Sequence, residues 1–317
     1  MLEKCRREQW VPDDLDWTGK PRPMSPADEI AIVQYFTDMA GIELLAQALF
    51  AVQAERAEDP VLREIFQSFV RDEARHADVA ARLARYYDVH RYKKYDRNAS
   101  LQKFAPHFVA AARHLSAEIA NGYITAGELV LDVALLRSIN DHVRDEMSQR
   151  TMDLVNRDES RHIAVDFRMV EYYGSREYDE RRRTQPKPAW ADRLKATWAL
   201  ANVVYHAAPF FKAVFFAPME VVDPSGKRLM EAFKRIQLLT AKPTFRRSPF
   251  VRSMVALQDV YNDHPAIRAL FGRAIERIVG VPAEVITRLA TEDERRRAAR
   301  MSFDDLAEEA LALKYAS

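Results

Sequence analysis

The five residues Asp72-Glu73-Ala74-Arg75-His76 return almost unchanged as Asp158-Glu159-Ser160-Arg161-His162. In each copy Glu and His stand three positions apart, so on an α-helix both leave the same face. One carboxylate oxygen and one imidazole nitrogen can then meet at a single point. One E-x-x-H is weak evidence, because composition alone yields roughly one match or fewer in a chain this long. Two copies that also share the Asp and the Arg are strong evidence. They require two helices to face each other and bring their Glu/His pairs together.

Helical bundles that hold two metals with this doubled motif draw one inward Glu from each of the two remaining helices. Glu43 lies 30 residues before Glu73, and Glu128 lies 31 before Glu159. Both sit in apolar surroundings with a Gly within two residues upstream, Gly41 and Gly127. The chain thus contains two pseudo-repeats, each a helix with Glu followed by a helix with DExRH. Glu118 is the rival on the third helix, and it breaks the equal spacing. A lone mid-helix Glu is more often a solvated surface residue, but four in register with two matched motifs are not explained that way.

The expected fold class is all-α, a ferritin-like four-helix bundle with additional C-terminal helices. Residues 1–24 read as a Trp- and Pro-rich arm, 25–174 as the bundle, 175–189 as a polar linker and 190–317 as a helical extension. Ser25-Pro26 and Asp59-Pro60 are helix starts, a capping side chain followed by Pro in the first turn. The four long helices are predicted over 25–57, 60–87, 116–138 and 141–173, with a short connecting helix over 98–114 and Gly174 as a C-terminal stop. Beyond the linker, helices are predicted over 190–218, 225–240, 253–263 and 266–278, with a charged amphipathic tail from Thr291. These form a cap on the bundle or a dimer surface, so a homodimer is expected.

Composition narrows the function. A formal net charge of +1 gives no reason to expect nucleic acid, and no Gly-rich phosphate loop is present. The single cysteine, Cys5, excludes an internal disulfide and suits a reducing, cytoplasmic setting. The opening MLEKCRREQW lacks the apolar run of a signal peptide. Residues 196–222 are long and apolar enough to cross a bilayer, but His206, Pro209, Lys212 and Pro218 interrupt them. A buried helix pair or a hydrophobic substrate wall is expected there instead of a membrane span. The aromatic cluster Tyr205, Phe210, Phe211, Phe215 and Phe216 reads as core packing.

The chemistry follows from the residue types. Four carboxylates neutralise two closely spaced metals and bridge between them, and one imidazole per metal favours iron or manganese over calcium. Glu43, Glu73, His76, Glu128, Glu159 and His162 are therefore the candidate ligands. Asp72 and Asp158 are expected to accept from the free ring N–H of the imidazoles, in a crossed arrangement of Asp72 with His162 and Asp158 with His76. Arg75 and Arg161, three residues beyond these aspartates, would hold them ionised. The other six histidines lack partners at ligand spacing.

These residues resemble the ferritin-like di-iron oxygenases over 25–174. The doubled DExRH is similar to the motif of hydroxylase subunits of bacterial multicomponent monooxygenases. The chain length is closer to the p-aminobenzoate N-oxygenase type and to the ribonucleotide reductase small subunit. The resemblance implies two iron ions, with Mn/Fe as the variant, dioxygen as co-substrate, an electron donor or reductase, and oxidation of a small organic substrate by hydroxylation or N-oxygenation. There are two departures: the reductases' radical Tyr position is Ala80 here, and the N-oxygenases' seventh-ligand His position is Val155. An oxidase or desaturase, a radical-generating protein and an iron-storage bundle remain as alternatives. Helical spacing from the ligands places Gln47, Phe50, Thr125, Leu129, Asp132 and Val155 as candidates for the substrate pocket.

Overall fold

The computed structural model describes residues 1–186, 188–279, 281 and 283–313. Among them there are helices and turns and no strand. A short helix α1 (Leu2–Arg7) precedes the first long one, α2 (Pro26–Arg56). Ser25 Oγ accepts from the Asp28 N–H to start α2, and Asp59 accepts from the Val61 N–H to start α3 (Pro60–Tyr87), as the Ser-Pro and Asp-Pro pairs predict. The connecting helix α4 (Ala99–His114) leads into α5 (Ala117–Leu129).

The third long helix departs from its expected course. After Leu129 it widens into a π-helical segment, Val130–Leu136, and then resumes as α6 (Arg137–Val143). It ends at Arg144, which takes a left-handed φ of 50°. The fourth helix α7 (Glu146–Tyr173) starts under the cap of Asp145, not at Asp141. The reason is tertiary. Asp145 accepts from the Tyr87 hydroxyl at 2.8 Å and from the Arg22 N–H at 2.9 Å, which pins the turn at 144–145.

Helix α2 packs along α3 and α5 along α7, while α3–α7 and α2–α5 contacts close the group. Gly41 marks where α4 crosses α2, because a Cβ there would meet Leu101 at 2.7 Å. Gly174 ends α7 under the Thr244 carbonyl, 2.6 Å from where a Cβ would stand.

The stretch expected as a linker contains α8 (Arg176–Thr184). Then come α9 (Trp190–Phe211), a second π segment (Lys212–Phe216), α10 (Ala217–Val222) and α11 (Lys227–Leu239). The remainder is α12 (Pro249–Asp263), α13 (Pro265–Val279), α14 (Ala283–Ile286), α15 (Glu292–Arg300) and α16 (Phe303–Ala312). Helix α11 covers the π segment of the third helix, α16 covers α7, and α9 lies along α4. Among the described residues, three helical stretches are long and apolar enough to cross a membrane: 26–56, 117–143 and 190–222. Within an apolar 18-residue window of each, 78% and 72% of the residues are buried in the first two but only 33% in the third, contrary to the expected buried pair.

A candidate dinuclear metal centre

Each of the six residues singled out by the repeat is carried by a different turn of α2, α3, α5 or α7, and all six converge. Ligand atoms of Glu43, Glu73, His76 and Glu159 lie within 4.8 Å of one another, and so do those of Glu73, Glu128, Glu159 and His162. Glu73 and Glu159 belong to both sets. Five of the six side chains are fully buried and Glu128 nearly so.

The two imidazoles have the same orientation. Nδ1 of His162 lies 3.0 Å from both Glu73 and Glu159, and Nδ1 of His76 lies 3.1 Å from Glu159. The outer nitrogens reach across: His76 Nε2 to Asp158 Oδ2 at 3.2 Å, and His162 Nε2 to Asp72 Oδ2 at 3.4 Å. This is the crossed pairing expected from the sequence. With the proton on Nε2, each Nδ1 presents its lone pair inward. Arg161 donates to Asp158 at 2.7 Å and to Asp72 at 3.1 Å, and Arg75 bonds both aspartates as well.

The electrostatics are those of a crowded acid cluster. Burial, reinforced by the charge of Glu73, pushes Glu43 well above the carboxylate range, and burial with Glu159 does the same to Glu128. Burial also opposes charge on Glu159 and the two imidazoles, but their mutual attraction outweighs it. Glu159 is held well below its usual range, and His76 and His162 well above theirs. Asp158 is likewise lowered despite burial, by His76, Arg161 and Trp10.

Fit to metal ions is tested by polar atoms left over. Both oxygens of Glu43, Oε2 of Glu73 and Oε2 of Glu128 are buried without a hydrogen-bond partner, while Oε1 of Glu73 and Oε1 of Glu159 face the Nδ1 atoms of His162 and His76. Unpaired buried acceptors in such number are costly. Two cations placed among them would satisfy the whole set, so the donor chemistry fits.

Several neighbours were not legible in the sequence. Trp10, in the N-terminal arm, donates from Nε1 to Asp158 Oδ2 and stacks near His76 with centroids 6.4 Å apart. Glu8 accepts from Arg161 at 3.2 Å. Phe69 lies 4.1 Å from the His162 ring, beside the expected Phe50 at 5.1 Å. Asp166, one turn past His162, is fully buried with both carboxylate oxygens unpartnered, and burial raises it far above the usual range. The only sequence signal for Asp166 is its i+4 spacing from His162.

Of the other residues expected near substrate, Leu129, Val155 and Asp132 are fully buried and Gln47 is partly so. The Thr125 hydroxyl donates to the Asn121 carbonyl at 2.8 Å. None of the six lines the apolar cleft of about 190 Å³ between α2 and α10, whose walls include Tyr35, Met39, Ile42, Val214 and Pro218. Tyr35 and Ile42 lie on the helix that carries Glu43, and the buried Tyr35 hydroxyl has no hydrogen-bond partner. Comparison with known proteins finds no match to the chain, whether by family model, curated protein or solved structure.

Proposed function

We propose that the chain is a ferritin-like di-iron oxygenase that oxidises a small organic substrate with dioxygen. The observation that carries this reading is the pair of overlapping ligand sets sharing Glu73 and Glu159, closed off from solvent. Glu43 and His76 would hold one metal, Glu128 and His162 the other, with Glu73 and Glu159 between them. When bound, two iron ions would supply the dioxygen reduction and substrate oxidation that side chains cannot perform. Electrons would come from a donor protein or small reductant.

The chain's own residues set the conditions. Asp72 and Asp158 fix the imidazole tautomers, and Arg75 and Arg161 keep those aspartates ionised. Phe50 and Phe69 cover His162 and exclude water, which a reactive oxidant requires. Asp166 holds a proton at its carboxyl group next to the site, because burial disfavours its anion. The cleft at Tyr35, Met39 and Ile42 is the side from which an apolar substrate would approach, and it favours an enzyme over iron storage. The test is metal content together with the fate of isotope-labelled dioxygen. Two irons per chain and label in an organic product are expected; one metal or none after iron-supplemented expression would sink the reading.

A further inference from the structure

Helix α9 is apolar on two opposite faces. Ala199, Val203, Ala207 and Phe210 form the buried one, and Phe210 stacks on Phe104 of α4 at 4.2 Å. On the other side Trp190, Leu194, Trp198, Ala201 and Tyr205 fall within an arc of about 80° at about 100° per residue. Trp190, Trp198 and Tyr205 are 74%, 70% and 72% exposed. A helix with apolar residues on both faces has to bury both to be at its free-energy minimum.

Charge identifies what covers the outer face. Arg193 flanks the stripe and exposed Lys212 extends its line, while Lys195 on the other flank pairs with Asp192 at 3.7 Å, which leaves this part of α9 with a net positive charge. Helix α13, packed on α9, repeats the pattern. Its Leu270 and Phe271 are 78% and 57% exposed between the exposed Arg268, Arg273 and Arg277. The acid of α13, Glu276, is turned inward and accepts from the Tyr261 hydroxyl at 3.2 Å. A second copy docked on this face by a two-fold axis would set Arg193, Lys212 and the arginines of α13 against their own copies, because Asp192 is already paired with Lys195 and Glu276 is turned inward. Anionic lipid headgroups above an acyl boundary answer both features, since Trp and Tyr settle at that depth and Lys and Arg reach the phosphates.

We infer that the exposed face of α9 and α13 is a membrane-docking surface, lying in the plane of an anionic bilayer without spanning it. The inference is independent of the metal centre. The test is flotation of the full-length protein with vesicles of phosphatidylglycerol and phosphatidylcholine, against vesicles of phosphatidylcholine alone. The protein is expected to float with the anionic vesicles and to be released by salt. Brominated lipids are expected to quench its tryptophan emission. The double variant Trp190→Ser with Trp198→Ser should partition at least about tenfold more weakly. Lys212→Glu with Arg268→Glu should abolish the preference for the anionic vesicles. Helicity by circular dichroism is expected to be unchanged in both, because all four residues are exposed. If the wild-type protein does not float, or shows no quenching, the inference is overturned. It is also overturned if sedimentation shows a dimer that the tryptophan variant dissociates, because a second copy then occupies the face.

Discussion

Trp10 Nε1 donates a 2.7 Å hydrogen bond to Asp158 Oδ2, the same oxygen that lies 3.2 Å from His76 Nε2. An arm residue thus shares the carboxylate that orients an imidazole on α3, and with Arg75, which donates to the same oxygen at 3.2 Å, three donors compete for its charge. Trp10→Phe keeps the packing and removes one bond to a charged group, a loss of about 1.5–3 kcal/mol in stability. Asp158→Asn removes the orienting charge and should weaken metal binding about 10- to 100-fold. Thermal melts and metal titrations read the two effects. Equal, total loss of metal in Asp158→Asn and in Glu159→Ala would make Asp158 a ligand, contrary to the geometry.

Metal loading should release protons. Glu43, Glu128, His76 and His162 are all shifted upward in the metal-free protein, and each must give up its proton to coordinate. Affinity is therefore expected to rise with pH, and a pH-indicator titration should record protons appearing as metal is added. Loading that leaves the indicator unchanged would contradict these protonation states.

The same shifts set the stability of the metal-free protein. A folded imidazole raised above its ordinary 6.5 stabilises fully below that value and loses the contribution as pH climbs through the folded value. Glu43 and Glu128, also raised, add to the decline in the same direction. The melting temperature of the metal-free protein should fall as pH rises past neutrality, and bound metal should remove that fall. A metal-free melting temperature that increases over this range would reverse the sign.

Filling the cleft between α2 and α10 tests the approach of substrate. Ile42→Trp places a large ring in a space of about 190 Å³, next in sequence to Glu43. Turnover is expected to drop with metal content intact. Unchanged turnover would place the substrate elsewhere.

Gly174→Ala should destabilise without touching the site. The added Cβ would stand 2.6 Å from the Thr244 carbonyl oxygen, so backbone has to move, at about 1–3 kcal/mol. A denaturant midpoint equal to wild type would show that the 174–244 contact is loose.

The six candidate ligands were legible because their signal is local and doubled: an i, i+3 pair on a helix, and a Glu 30 or 31 residues upstream. The first of those upstream spacings follows from helix geometry and helix length, which the chain sets by itself through its Ser25 and Asp59 caps and its apolar periodicity. Gly41 and Gly127 looked equivalent in sequence, yet of the two only Gly41 has close neighbours, the side chains of Leu101 and Arg97, where a Cβ would stand.

What the tertiary structure decided are the contacts between residues far apart in the chain. Trp10 and Asp158 are 148 positions apart, and no pattern of spacing links them. The π segment after Glu128 is a register change that local propensity does not encode, and the 144–145 turn depends on Tyr87 and Arg22 reaching Asp145. The exposure of Trp198 is likewise invisible to hydropathy, which measures what a helix would bury and not whether a partner helix covers it. Periodicity determines which residues share a face, whereas the packing of distant helices determines what that face meets.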